Sequence, residues 1–111
     1  MPRVLVASRE EVEKRGKIYG VWLEVDVVNS TIEDFVLEFY EIADDEAVFL
    51  AFYDGMPSLG QEPSLNAVWS VAELMQEYSY QDIELFLMMR GLGNLSDFKD
   101  WMVAWAQKQV Q

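Results

Sequence analysis

The chain has 111 residues, no cysteine, no histidine and a formal net charge of −12 from 20 acidic and 8 basic residues. These counts exclude disulfides, thiol nucleophiles, Cys-based zinc sites and any chemistry that needs an imidazole. Apolar residues make up 51% and fifteen residues are aromatic, so one domain can bury a core without staples, and an acidic disordered chain is excluded.

Val4 to Ser8 is a β-branched run that predicts a first strand, and the charged stretch Arg9 to Lys17 reads as a turn or irregular loop. Gly16 and Gly20 bracket the start of a second strand. There Val21, Leu23, Val25 and Val27 point one way, while Trp22, Glu24, Asp26 and Val28 point the other. Ser30 and Glu33 stand in capping-box spacing before a helix whose apolar set is Ile32, Phe35, Val36, Phe39 and Ile42. At roughly 100° per residue, Asp34, Glu38, Glu41 and Asp45 form a stripe nearly opposite that set. Ala47 to Tyr53 is apolar on both faces and ends at Asp54-Gly55, which predicts a central strand closing in a turn.

Met56 to Val68 holds two prolines and a glycine and reads as a loop. Ser70 and Glu73 repeat the capping-box spacing, with Val71, Leu74, Met75 and Tyr78 as the buried stripe and Glu73 and Glu77 one turn apart outside. After a break at Ser79-Tyr80-Gln81, the segment Ile83 to Met89 contains five consecutive apolar residues, which predicts a helix buried on most sides and ended by Gly91 or Gly93. A last helix starts at Ser96, with Asp97 at its N-terminal end, Lys108 near its C-terminus and Phe98, Trp101, Met102 and Trp105 as its stripe. Trp22 and Trp69 are assigned to the core. The expected fold is α+β: a small three-stranded, mostly antiparallel sheet with one packed helix, followed by a three-helix segment. Residues 1–57 form the first subdomain, 58–68 a loop and 69–111 a helical subdomain.

The charge is unevenly laid down. From Ile18 to Met89 there is no basic residue, while fifteen aspartates and glutamates fall in that window. Surfaces ordinarily mix both signs because like charges loosen the compact state, so a one-signed face implies a use. The expected use is to present carboxylates to a basic partner, with Glu24, Asp26, Glu33, Asp34, Glu38, Glu41, Asp44, Asp45, Glu46, Glu73, Glu77, Asp82 and Glu84 as the acidic surface. Duplex DNA carries one charge per ~1.7 Å, so fifteen carboxylates match the charge of ~25 Å of duplex, and a domain with a radius of gyration of ~13 Å could display it.

Other chemistries fit poorly. Asp44-Asp45-Glu46 lacks the alternating ligands and central glycine of a calcium loop, and Gly91-Leu92-Gly93 lacks the strand and third glycine of a nucleotide loop. A glycosidase-type carboxylate pair has no spacing to recognise it by, and it needs no thirteen companions. Direct nucleic-acid binding fails on charge. No catalytic, cofactor or metal residue is expected. No apolar run reaches the ~18 residues that span a membrane, Val4 to Ala7 is too short for a signal peptide, and an acidic face is repelled by anionic lipid, so a cytoplasmic location is expected. Trp101, Met102 and Trp105 are most simply core residues; their functional reading is the seam of a homodimer, since the last helix carries two tryptophans.

Several segments resemble the ArdA family of antirestriction proteins. Val6-Ala7-Ser8 precedes Gly16-Lys17-Ile18-Tyr19-Gly20-Val21-Trp22-Leu23, which is similar to that family's Gly-x-Leu-x-Gly-x-Trp-Ile segment. Ala47 to Gly55, ending in Tyr53-Asp54-Gly55, is similar to its apolar strand ending in an aromatic, an acid and a glycine, and Ser70 to Leu74 resembles the opening of its middle helical part. The likeness covers most of residues 4 to 90. It implies a non-enzymatic DNA mimic whose acidic surface occupies the DNA groove of a type I restriction-modification enzyme. The alternative expectation is an acidic adaptor or regulatory subunit that docks through Met56, Leu59 and Leu65 without mimicry.

Overall fold

The computed structural model describes residues 1–16, 20–42, 48–60 and 63–110. The three strands β1 (Arg3–Ser8), β2 (Gly20–Glu24) and β3 (Val48–Asp54) form an antiparallel sheet in the order β2-β1-β3. The central place therefore goes to β1, whose Val4, Val6 and Ala7 are all buried, and not to the apolar strand expected there. That strand, β3, is an edge, and its doubly apolar character has a local cause. Leu50 and Tyr53 pair in register with Val6 and Val4 on the core side, whereas Phe49 and Phe52 lie on the other face with Ala7 and Leu5. On that face Arg9 covers the Phe49 ring at 4.4 Å and Phe52 stays exposed. Ala51 has no partner of its own between Leu50 and Phe52, which makes it the extra residue of a β-bulge.

The stretch after β1 is helical rather than irregular. In α1 (Arg9–Arg15) Glu10 and Glu11 occupy the first turn, where the helix dipole favours acids, and Glu10 reaches Lys14 at 3.4 Å one turn later. Gly16 ends it at φ +67°, donating its N–H to the Val12 carbonyl. The second strand is shorter than the alternation predicts. It stops at Glu24, Val25 donates to the Pro2 carbonyl at 2.8 Å, and Asp26 folds the chain into a turn.

Helix α2 (Ile32–Glu41) is capped by Thr31, whose hydroxyl accepts from Asp34 N–H at 3.2 Å, so the Ser30–Glu33 capping box does not form. Helix α3 (Leu65–Leu74) likewise begins five residues before the predicted cap. Ser64 accepts from Ala67 N–H at 3.1 Å, and Ser70 sits in mid-helix. In α4 (Tyr80–Arg90) Ser79 is the cap and Gly91, at φ +83°, follows the end. This helix buries only Ile83 and Phe86, and Met88 is 78% exposed, so the expectation of a helix buried on most sides is wrong. A 3-10 turn over Leu92–Asp97 leads to α5 (Phe98–Val110).

One continuous cluster of buried side chains joins the sheet to the helices, from Val4 and Val6 through Phe35, Trp69 and Ile83 to Phe86 and Phe98. Its helical end is an aromatic stack in which Phe86 meets Phe98 at 5.2 Å and Trp101 at 5.4 Å, both edge to face, and Tyr78 meets Phe98 at 4.9 Å. The molecule measures 58 × 28 × 19 Å with a radius of gyration of 16.0 Å. That is longer than the ~13 Å of a compact domain this size. No helix among the described residues is long and apolar enough to cross a membrane.

Candidate acidic interface

Helix α2 turns its two buried rings, Phe35 and Phe39, to the core and leaves Glu33, Asp34, Glu38 and Glu41 exposed. At ~1.5 Å rise per residue, Asp34, Glu38 and Glu41 stand ~4.5 to 6 Å apart along the axis. Asp45, the expected end of this row, lies outside the described residues, as do Asp44 and Glu46.

Glu38 also does something the stripe alone does not predict. It lines a cleft of about 330 Å³ together with Glu24 and Asp26 from the β2 side, with Trp22, Phe35 and Trp69 as aromatic walls. The cleft exists because Phe35 packs on Trp69 at 5.6 Å, which seats α2 against α3, while the Asp26 turn carries the chain over from β2. Two carboxylates from one side and one from the helix thus face a shared space. Among the described residues, none of Glu24, Asp26, Glu33, Asp34, Glu38 and Glu41 forms an ion pair.

The acidity of the Asp26 carboxyl is shifted by its own turn. The Asn29 backbone N–H, donating at 3.0 Å, is the main cause, supported by the Asn29 side chain at 3.3 Å and the Val28 N–H at 3.2 Å, and it holds the carboxyl below the ordinary aspartate value. Asp26 is therefore a turn-forming residue as well as a cleft acid. A partner must share its oxygens with that turn.

Trp22 is not a core residue. It is 42% exposed, and the Arg3 guanidinium stands 4.1 Å from its ring centroid. The alternation that puts Trp22 on the same side as Glu24 is the sequence signal for this exposure, and residue type alone points the other way. Trp69 does lie in the core, 6% exposed.

The remaining acids are spread along the molecule. Glu73 and Glu77 border a second depression of about 390 Å³ with Lys99, which approaches Glu77 at 3.8 Å, so Glu77 is partly neutralised within the chain. Asp82 and Glu84 are half-buried on α4. Trp101 is half-buried against Phe86, Met102 is half-buried, and Trp105 stacks on Trp101 at 5.7 Å with 37% of its surface exposed. No group of three or more Asp or Glu among the described residues is placed to hold a metal ion. Comparison with protein families, with curated proteins and with solved structures finds no match to this chain.

Proposed function

We propose that the chain is a non-enzymatic DNA mimic of the cytoplasm, which inhibits a type I restriction-modification enzyme or a similar defence protein by occupying its DNA-binding groove. The observation that carries this reading is the junction at Glu38. There the exposed row of α2 runs into a cleft that adds Glu24 and Asp26, and no described cation is paired with any of them. Charges left unpaired in a compact array repel one another, and a basic groove is a surface that relieves that repulsion.

The shape supports the same reading. A body 58 Å long and 19 Å thick is a rod on which acids can be read in sequence, as phosphates are along a duplex. Its charge is sparser than that of DNA, since 20 carboxylates over 58 Å compare with one phosphate charge per ~1.7 Å. Local density at the Glu38 junction therefore matters more than total charge. The resemblance of Gly16 to Leu23 and Ala47 to Gly55 to ArdA proteins names the class of target. The adaptor alternative loses two of its three docking residues, because Met56 and Leu59 are 6% and 7% exposed and belong to the core.

The test is a DNA-cleavage assay with a type I restriction-modification enzyme. Inhibition should be competitive with DNA and should weaken steeply between roughly 50 and 200 mM salt, as phosphate-driven binding does. Inhibition indifferent to both DNA and salt concentration would refute the proposal.

A further inference from the structure

A second surface lies on the opposite edge of the sheet. Strand β3 pairs only with β1, so its outer row of N–H and C=O groups is unpaired among the described residues. From Val48 to Tyr53 it carries no charge and no proline, the two devices that ordinarily blunt an exposed edge. The bulge at Ala51 interrupts the edge, which leaves Val48–Leu50 as the regular segment.

Beside that segment runs a groove of about 440 Å³, walled by Val36, Phe39 and Tyr40 of α2, by Val48 and Leu50 of β3, and by Leu65 at the start of α3. Among the described residues no charged side chain lines it, and it shares no lining residue with the acidic cleft at β2. An edge row of backbone groups with an apolar trench alongside is the geometry of strand addition. The main chain of the guest completes the ladder, and alternate side chains enter the trench.

Charge decides the guest. A second copy of this chain would bring −12 against −12. We infer that the β3 edge at Val48–Leu50 docks a short, extended apolar segment of another protein, flanked by basic residues that answer the chain's negative field. This site does not depend on the acidic cleft, and either can fail alone.

The test uses the full-length chain labelled with nitrogen-15 and a panel of nine-residue synthetic peptides that alternate Val, Ile, Thr or Phe between lysine-flanked ends. Saturable shifts should appear at the amides of Val48–Leu50 and around Val36 and Leu65, with dissociation constants between about 10 μM and 1 mM for a segment this short. Methylating alternate backbone nitrogens of the peptide should weaken binding about tenfold by removing two ladder hydrogen bonds. Glutamate-flanked versions should bind more weakly than lysine-flanked ones, and Val36→Lys should abolish binding while leaving the rest of the spectrum in place. The inference is overturned if no member of the panel shifts the β3 amides at about 1 mM. Equal binding of methylated and unmethylated peptides, equal binding of the two flanks, or β3 shifts that grow with protein concentration alone would overturn it as well.

Discussion

The guanidinium of Arg3 lies over the indole of Trp22, 4.1 Å from the ring centroid, and brings a positive charge into the neighbourhood of the acidic cleft. Arg3 faces Glu24 across one strand boundary and Asp54 across the other, and its Nε meets Asp54 at 3.3 Å. Both side chains of that ion pair are well exposed, so solvent screens it. Arg3→Gln should lower stability by about 0.5–1 kcal/mol in urea unfolding. The same substitution removes a positive charge from beside the cleft wall at Trp22, so the local field becomes more negative and inhibition of the target should strengthen. Loss of stability with unchanged or weaker inhibition would separate Arg3 from the interface.

Thr31 and Ser30 are neighbours with different duties. Thr31→Ala removes the hydroxyl that accepts from Asp34 N–H and should cost about 1 kcal/mol. Ser30→Ala should change stability by less than about 0.5 kcal/mol. Equal losses on thermal or urea denaturation would place the cap elsewhere.

In α4 the burden falls on one ring. Phe86 is fully buried between Phe98 and Trp101, and Phe86→Ala should cost about 3–5 kcal/mol. Met88, 78% exposed two residues on, should tolerate alanine within about 0.5 kcal/mol. Chemical denaturation of the two variants distinguishes this one-sided packing from the all-round burial that the run Leu85 to Met89 suggests.

Element type was legible in the sequence more often than element limits. The α+β organisation, the antiparallel sheet and the helical second half follow from periodicities that packing did not have to override. Helix starts were harder, because Ser30, Thr31, Ser64 and Ser70 are all competent caps, and the choice is made by which following turn finds a core to cover. For α3 that turn includes the buried Val68 and leads into Trp69, which meets Phe35 on a helix distant in sequence. The α1 helix is hidden in the sequence because its six charged residues surround a single apolar one, Val12, and so carry no apolar period; its support includes the Glu10–Lys14 pair and a glycine cap. The place of β3 is not legible in the sequence because an edge strand whose outer Phe49 ring is covered by Arg9 has the same apolar run as a central one. At the candidate site the α2 row was readable from spacing. The meeting of Glu38 with Glu24 and Asp26 was not, because it depends on the Asp26 turn and the seat of α2 on α3.

The Asp26 carboxyl, held below its ordinary value by the Asn29 and Val28 donors, ties stability to pH in one direction. A depressed folded-state value means the contribution is complete above the unfolded value of about 3.9 and disappears as pH falls through the lower folded one. Asp26→Asn keeps an acceptor in the turn but cannot titrate. Its urea midpoint should therefore fall less than that of the unmodified chain between about pH 5 and pH 2. Parallel midpoint curves for the two proteins would show that the turn does not carry the effect.

The most direct measurement compares two triple variants of equal charge in the restriction assay. Glu24→Gln, Asp26→Asn and Glu38→Gln empty the junction of charge, whereas Glu13→Gln, Asp97→Asn and Asp100→Asn remove as much charge from outside it. With close charge pairs at an interface each contributing upwards of about 1 kcal/mol, the first variant should inhibit roughly 10- to 100-fold less well and the second nearly as well as the unmodified chain. Equal loss in both, or none in either, would contradict a partner surface built around Glu38.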